Sequence, residues 1–146
     1  MIVLGIDPGA VTGWALVQTE PNNVAVGEFP TWTGVGALLD AQPDVVVVEA
    51  FRLYPWARSE MTWNSFVPCE VIGVIKYLAC EHNIPIVQQS AAQGKSFKLH
   101  LTNKYSKHMH DALRHALVYL RGQGKFPPGT RDWIQEELIS TVGALR

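Results

Sequence analysis

Three acids stand where elements of the chain end or begin. Asp7 closes the apolar run "MIVLGID" and is followed at once by Pro8 and Gly9. Glu49 closes the run "VVVVE", and Asp111 falls in the first turn of a helix expected to begin near His108. Carboxylates gathered in a low-dielectric site repel one another, and a divalent cation relieves that repulsion. Hard oxygen ligands suit Mg²⁺, with Mn²⁺ as a substitute. Two such ions about 4 Å apart activate water and stabilise the leaving oxygen of a phosphodiester. His108 lies three residues before Asp111 and projects from about the same helix face, where it can bind metal or position the attacking water. His115 continues that flank as a weaker candidate, and His110 points elsewhere and reads as exposed.

Each residue also has a plain structural explanation. Asp-Pro-Gly is ordinary turn chemistry, because Pro fixes φ and Gly tolerates positive φ. Glu49 alone suits a strand end facing water, and Asp111 alone suits a first-turn acid complementing the helix dipole. His108 alone suits a surface or capping role. Only the joint placement of the four favours catalysis.

The elements that must position them follow from pattern. "MIVLGID" reads as a buried strand and "TGWALVQ" as a second, reached by a tight turn. "NNVAVGEFP" reads as a third, more polar strand, completing an antiparallel meander. "VGALLDAQ" is a short helical segment, and the β-branched run in "PDVVVVEAF" suits a strand buried on both faces. A helix starts near Pro68, with Val71, Val74, Ile75 and Leu78 at helical spacing. "IPIVQQ" is a fifth strand, followed by a lysine-bearing loop through Lys107. The segment from His108 to Arg121 carries the apolar stripe Met109, Ala112, Leu113, Ala116, Leu117 and Leu120. After Pro127, Pro128 and Gly129, Thr130 caps a last helix with Trp133, Ile134, Leu138 and Ile139. A meander followed by alternating helices and strands predicts a mixed five-stranded α/β sheet flanked by helices, its first three strands antiparallel, in the order of the ribonuclease H-like fold.

Composition sets the bounds. The chain has 146 residues, 47% hydrophobic and 17% charged, which suits one folded domain spanning residues 1–146. No apolar run is long enough for a membrane span and no cleavable leader is evident, so a cytoplasmic protein is expected. Cys69 and Cys80, on one helix, stand roughly 16 Å apart at 1.5 Å per residue, so they are expected to be free thiols.

The net charge of −1 hides a segregation. No acid occurs between Glu81 and Asp111, where Lys95, Lys98, Lys104 and Lys107 fall; Arg52 and Arg58 lie in a second acid-free stretch after Glu49. Such a face can bind phosphates even when the total charge is near neutral. The bland alternative is a pair of solvated loops.

"GIDPGAVTGWALV", "VVVVEAF" and "HMHDALRHAL" resemble the three acidic motifs of the RuvC-like Holliday junction resolvases. The first motif is quite specific, the third moderately so, and the second would be weak alone. The resemblance implies a homodimeric, Mg²⁺-dependent endonuclease, bacterial or of a compact phage type, that nicks opposing strands of a four-way DNA junction. It implies that Asp7, Glu49, His108 and Asp111 are the metal-binding catalytic residues. It also implies a junction-contacting segment after Glu49, where "AFRLYPWARSEMTWNSF" supplies Phe51, Tyr54 and Trp56 as candidates for base stacking. Any of these could equally anchor the core or a dimer. "SAAQGKSFKLH" resembles the family's basic loop, where Lys95 and Lys98 would neutralise phosphates.

Other readings compete. An enzyme of the same type that cuts flaps, forks or single strands shares the metal chemistry and differs in dimer geometry. A nucleotide-binding domain of the actin and sugar-kinase type needs a second domain and a second phosphate turn, neither of which the chain offers. A catalytically silent module that binds branched nucleic acid is disfavoured by the presence of all three acids and His108.

Overall fold

The computed structural model of the chain describes residues 1–53, 55–56, 61–99 and 105–126. Five strands form one mixed sheet: β1 (Ile2–Asp7), β2 (Val11–Thr19), β3 (Asn22–Pro30), β4 (Val45–Glu49) and β5 (Ile86–Gln89). Their order is β3-β2-β1-β4-β5. The pairs β1–β2 and β2–β3 are antiparallel, whereas β1–β4 and β4–β5 are parallel. This is the expected mixed sheet and meander. It is also why β1 and β4 read as unbroken apolar runs: central strands covered on both faces have no polar side to show.

Period-two alternation divides the sheet's side chains between two cores. Val3, Ala15, Val17, Val45 and Val47 pack beneath α4 (Lys107–Gly122), against its Ala112, Leu113, Ala116, Leu117 and Leu120. Leu4, Ile6, Val46 and Val48 face the opposite side, under α1 (Val35–Leu39) and α2 (Val67–Glu81). Each fully buried Val, Leu or Ile contributes about 1.5–3 kcal/mol relative to exposure, so the two cores together hold three layers in place.

Asp44 fixes the register of the two central strands. Its backbone N–H donates to the Ile2 carbonyl at 2.8 Å, and its carboxylate accepts from the Ile2 N–H at 2.6 Å. Ile6 then pairs with Val48, which leaves Asp7 and Glu49 next in line on neighbouring parallel strands. The expectation that these two acids end side by side holds.

Several expectations need correction. The lysine-bearing stretch is not all loop: α3 (Ala91–Lys95) opens with a capping box in which Ser90 and Gln93 satisfy each other's backbone N–H groups. At five residues this helix is too short to show a period. Helix α4 starts at Lys107, capped by Ser106, so Asp111 lies in its second turn and is not a first-turn dipole partner. The buried stripe of α2 is Val71, Ile72, Ile75 and Ala79, rotated slightly from the expected one. His110 is part-buried, and its Nε2 has no hydrogen-bond partner among the described residues. Burial, then the charge on Arg114, pushes its pKa down against the opposite pull of Asp111. Cys69 and Cys80 are free, as expected. The expected last helix with Thr130 and Trp133, and Tyr54, Arg58 and Lys104, lie outside the described residues. Among the described residues no helix is long and apolar enough to cross a membrane.

Candidate active site

The same alternation that builds the core beneath α4 aims the site. Asp7 follows Val3 and Gly5 on β1, and Glu49 follows Val45 and Val47 on β4, so both carboxylates face α4 at the carboxyl ends of their strands. Gln89, level with Glu49 on β5, faces the same way.

Two glycines set how closely α4 can approach. A Cβ on Gly5 would lie 2.2 Å from the Ala112 carbonyl oxygen, and one on Gly13 would lie 2.2 Å from the His108 backbone. Only a bare Cα lets the helix rest on β1 and β2 at this height. The consequence is read one turn at a time along α4. His108 Nδ1 meets Asp7 Oδ2 at 2.8 Å. Asp111 Oδ1 accepts from Arg114 at 2.7 Å. His115 Nε2 meets Glu49 Oε2 at 2.9 Å, and its Nδ1 lies 2.9 Å from Gln89 Oε1.

Asp7 has a raised pKa. Burial is the largest cause, and the negative charges of Glu49 and Asp111 add to it, while the hydrogen bond and charge of His108 oppose it. Asp7 therefore feels both of the other carboxylates. Among the described residues no three His, Cys, Asp or Glu side chains converge as a ready cation cage; each carboxylate is turned toward a base of its own. In donor chemistry the set still fits a hard divalent cation: oxygen-rich, anionic, mutually repelling, with an imidazole beside it.

The turn after Asp7 is held from within. The buried Thr12 hydroxyl donates to the Gly9 carbonyl at 3.1 Å and accepts from the Gly9 N–H at 3.2 Å. Gly9 does not use the left-handed region; among the described glycines only Gly124 does. The expected reason for that glycine, tolerance of positive φ, is thus not the operative one.

The expected nucleic-acid contacts divide by place. Lys95 adjoins Gly94, where an added Cβ would fall 2.7 Å from the His115 ring, and Lys107 adjoins His108; both lysines are exposed, as is Lys98. Arg52 is exposed just beyond Glu49. Phe51 is half-buried against the α2 core, with its ring 6.5 Å from that of Phe66. It lines a cavity of about 380 Å³ with Cys69, Ile72, Gly73, Lys76 and Gln88. Its packing is that of an anchor for the segment. Trp56 is the more exposed aromatic there, at 75%.

Sequence reasoning missed Gln89, Arg114 and the role of Thr12, and underrated His115. Arg114 was open to detection as an i,i+3 partner of Asp111. His115 interrupts an apolar stripe between Ala112 and Ala116, a signal in its own right. Gln89 becomes visible only once β5 is known to pair with β4.

No protein-family model matches the sequence. Solved structures do match. T. thermophilus RuvC in complex with Holliday junction substrate gives a TM-score of 0.66 at 19% identity, over 86% of this chain and 97% of that one. A second Thermus thermophilus RuvC structure gives 0.64 at 20% identity, over 86% and 98%. The fold is RuvC-like. The yeast mitochondrial Holliday junction resolvase Ydc2 shares it, with a TM-score of 0.53 at 14% identity over 84% of this chain and 79% of that one. The RuvC-like fold is carried by the expected mixed sheet, with three antiparallel strands and helices on both faces.

Proposed function

We propose that the chain is a divalent-metal-dependent endonuclease that resolves four-way DNA junctions, acting as a homodimer that sets two sites across one junction. The observation that supports this reading is the Asp7–His108 hydrogen bond at the rim of the RuvC-like fold, with Glu49 and Asp111 near enough for their charges to raise the Asp7 pKa.

Asp7, Glu49 and Asp111 would hold Mg²⁺, or Mn²⁺ in its place, with His108 beside them. When bound, such ions supply Lewis-acid activation of water and of the phosphodiester. The chain's own residues do the rest. His108 holds the Asp7 carboxylate through Nδ1 and is exposed enough, at 43% of its side chain, to meet a water or a phosphate oxygen. Arg114 orients Asp111 and offsets its charge. Lys95, Lys98 and Lys107 neutralise backbone phosphates around the rim, and Arg52 extends that contact along the segment after Glu49.

The test is Mg²⁺-dependent cleavage of a labelled synthetic four-way junction beside duplex, flap and single-stranded controls, with Asp7→Asn as the negative. Paired symmetric nicks confined to the junction are expected. Cutting of flaps or single strands instead would keep the metal site and overturn the junction assignment. No cutting in either metal would leave a silent binding module.

A further inference from the structure

We propose that His115 is a positioning residue for Glu49, the middle of a buried relay Gln89–His115–Glu49 that fixes how that carboxylate is presented to a divalent cation. The proposal rests on the metal-nuclease reading above and adds residues to it. His115 is fully buried, on a helix whose other buried side chains are Asp111 and the apolar Ala112, Leu113, Ala116, Leu117 and Leu120. A polar ring there costs free energy unless both nitrogens are satisfied. The sheet supplies both partners from adjacent strands. Nε2 lies 2.9 Å from Glu49 Oε2, Nδ1 lies 2.9 Å from Gln89 Oε1, and Glu49 and Gln89 are register partners.

The ring has no freedom to turn. A Cβ on Gly94 would lie 2.7 Å from His115 Cε1 and 2.8 Å from Nε2, so the backbone of α3 is pressed against the imidazole. The Gln89 amide can present either its oxygen or its nitrogen to Nδ1, which leaves Nε2–H as the donor to Glu49. With both nitrogens engaged and the ring sealed from solvent, His115 is not itself placed to take a cation. Its donor occupies one oxygen of Glu49, whose side chain remains 27% exposed. A carboxylate has about four lone-pair sites, so one fixed donor sets its orientation and leaves acceptor capacity for a cation. That is the usual division of labour between a ligand and the group that orients it.

The experiment measures Mn²⁺ uptake by the loss of the free-ion EPR signal for wild type, His115→Leu, His115→Gln and Gln89→Leu, with junction affinity measured in EDTA alongside. His115→Leu is expected to weaken Mn²⁺ binding roughly 10- to 100-fold. His115→Gln keeps an N–H donor at similar reach and is expected to recover most of the loss. Gln89→Leu, which removes the partner of His115 Nδ1 and leaves every proposed ligand in the sequence, is expected to weaken Mn²⁺ binding several-fold and covers the case in which His115→Leu does not fold. Junction affinity in EDTA should stay within about twofold throughout. Mn²⁺ binding within twofold of wild type in His115→Leu and Gln89→Leu overturns the proposal, as does a parallel loss of junction affinity. A wild type that takes up no Mn²⁺ overturns both this proposal and the nuclease reading. A wild type that binds Mn²⁺ through a His115-dependent site yet cuts no branched DNA overturns the nuclease reading alone.

Discussion

His108 and Asp7, 101 residues apart in the sequence, meet at 2.8 Å between Nδ1 and Oδ2, and a glycine on a third element sets that distance. Gly13 on β2 lies under the His108 backbone, where an added Cβ would come within 2.2 Å of both the carbonyl carbon and its oxygen. Backbone cannot swing aside as a flexible side chain can. Gly13→Ala is therefore expected to lift the start of α4, to cost about 1–3 kcal/mol, and to remove cleavage by separating His108 from Asp7. Gly73→Ala on α2 is the control. Nothing lies within 4 Å of its Cβ position, so it should stabilise by about 0.5–1 kcal/mol and cut normally. Thermal melts and junction cleavage on the two variants check this. Full activity in Gly13→Ala would show that α4 does not owe its height to that glycine.

Asp7 makes the site costly to fold. Its native pKa is raised, chiefly by burial, so the folded state binds a proton more tightly than the unfolded chain does. Below the unfolded value, about 3.9, both states are protonated and no penalty arises. As pH rises through the native pKa, the native carboxyl must ionise in its buried place and stability is lost. Asp7→Asn removes that loss. In EDTA at neutral pH the variant should melt above wild type, and the gap should close as pH falls toward 4. A melting temperature at or below wild type at neutral pH would mean that the His108 hydrogen bond outweighs burial.

Much of this architecture is legible in residue patterns. The runs in β1 and β4 announce central strands, and the α4 stripe announces the helix that crosses them, so Asp7, Glu49 and Asp111 can be brought together on paper. What is not legible is whatever depends on tertiary partners. The polar ring of His115 makes sense only when Glu49 and Gln89 arrive from two strands. His110 has the sequence neighbours of an exposed residue yet packs 6.1 Å from the Tyr105 ring, centroid to centroid. Helix α3 is too short for a period, though its Ser90-x-x-Gln93 cap was there to be read.

Thr12 is expected to act on rate through the turn that holds Asp7. Its hydroxyl satisfies both the N–H and the carbonyl of Gly9, and Thr12 is fully buried. Thr12→Val keeps the shape and strands those groups at a cost of about 1–3 kcal/mol. Well below the melting temperature, cleavage should still fall roughly ten- to a hundredfold, because a small displacement of a reacting group is costly. Thr12→Ser, which keeps the hydroxyl, should cut at close to the wild-type rate. A Val variant as fast as wild type at 25 °C would detach the turn from catalysis.

Lys95 and Lys107 should be felt in the salt dependence of binding. Each is exposed and one residue from a group that contacts the site, Gly94 in one case and His108 in the other. A lysine that neutralises one phosphate releases about one counterion, so its removal lowers the slope of log K against log salt by about 0.9. Lys95→Gln and Lys107→Gln should therefore weaken junction binding most at low salt, with the difference shrinking as salt rises. Lys98→Gln, which removes an exposed ammonium just beyond α3, should behave in the same way. The measurement is junction affinity in EDTA from about 50 to 200 mM salt, the range over which phosphate-dominated binding changes steeply. A variant with wild-type affinity and an unchanged slope removes that lysine from the DNA surface. Because the slope counts phosphates, the three variants together would show how far the basic rim extends from the carboxylates.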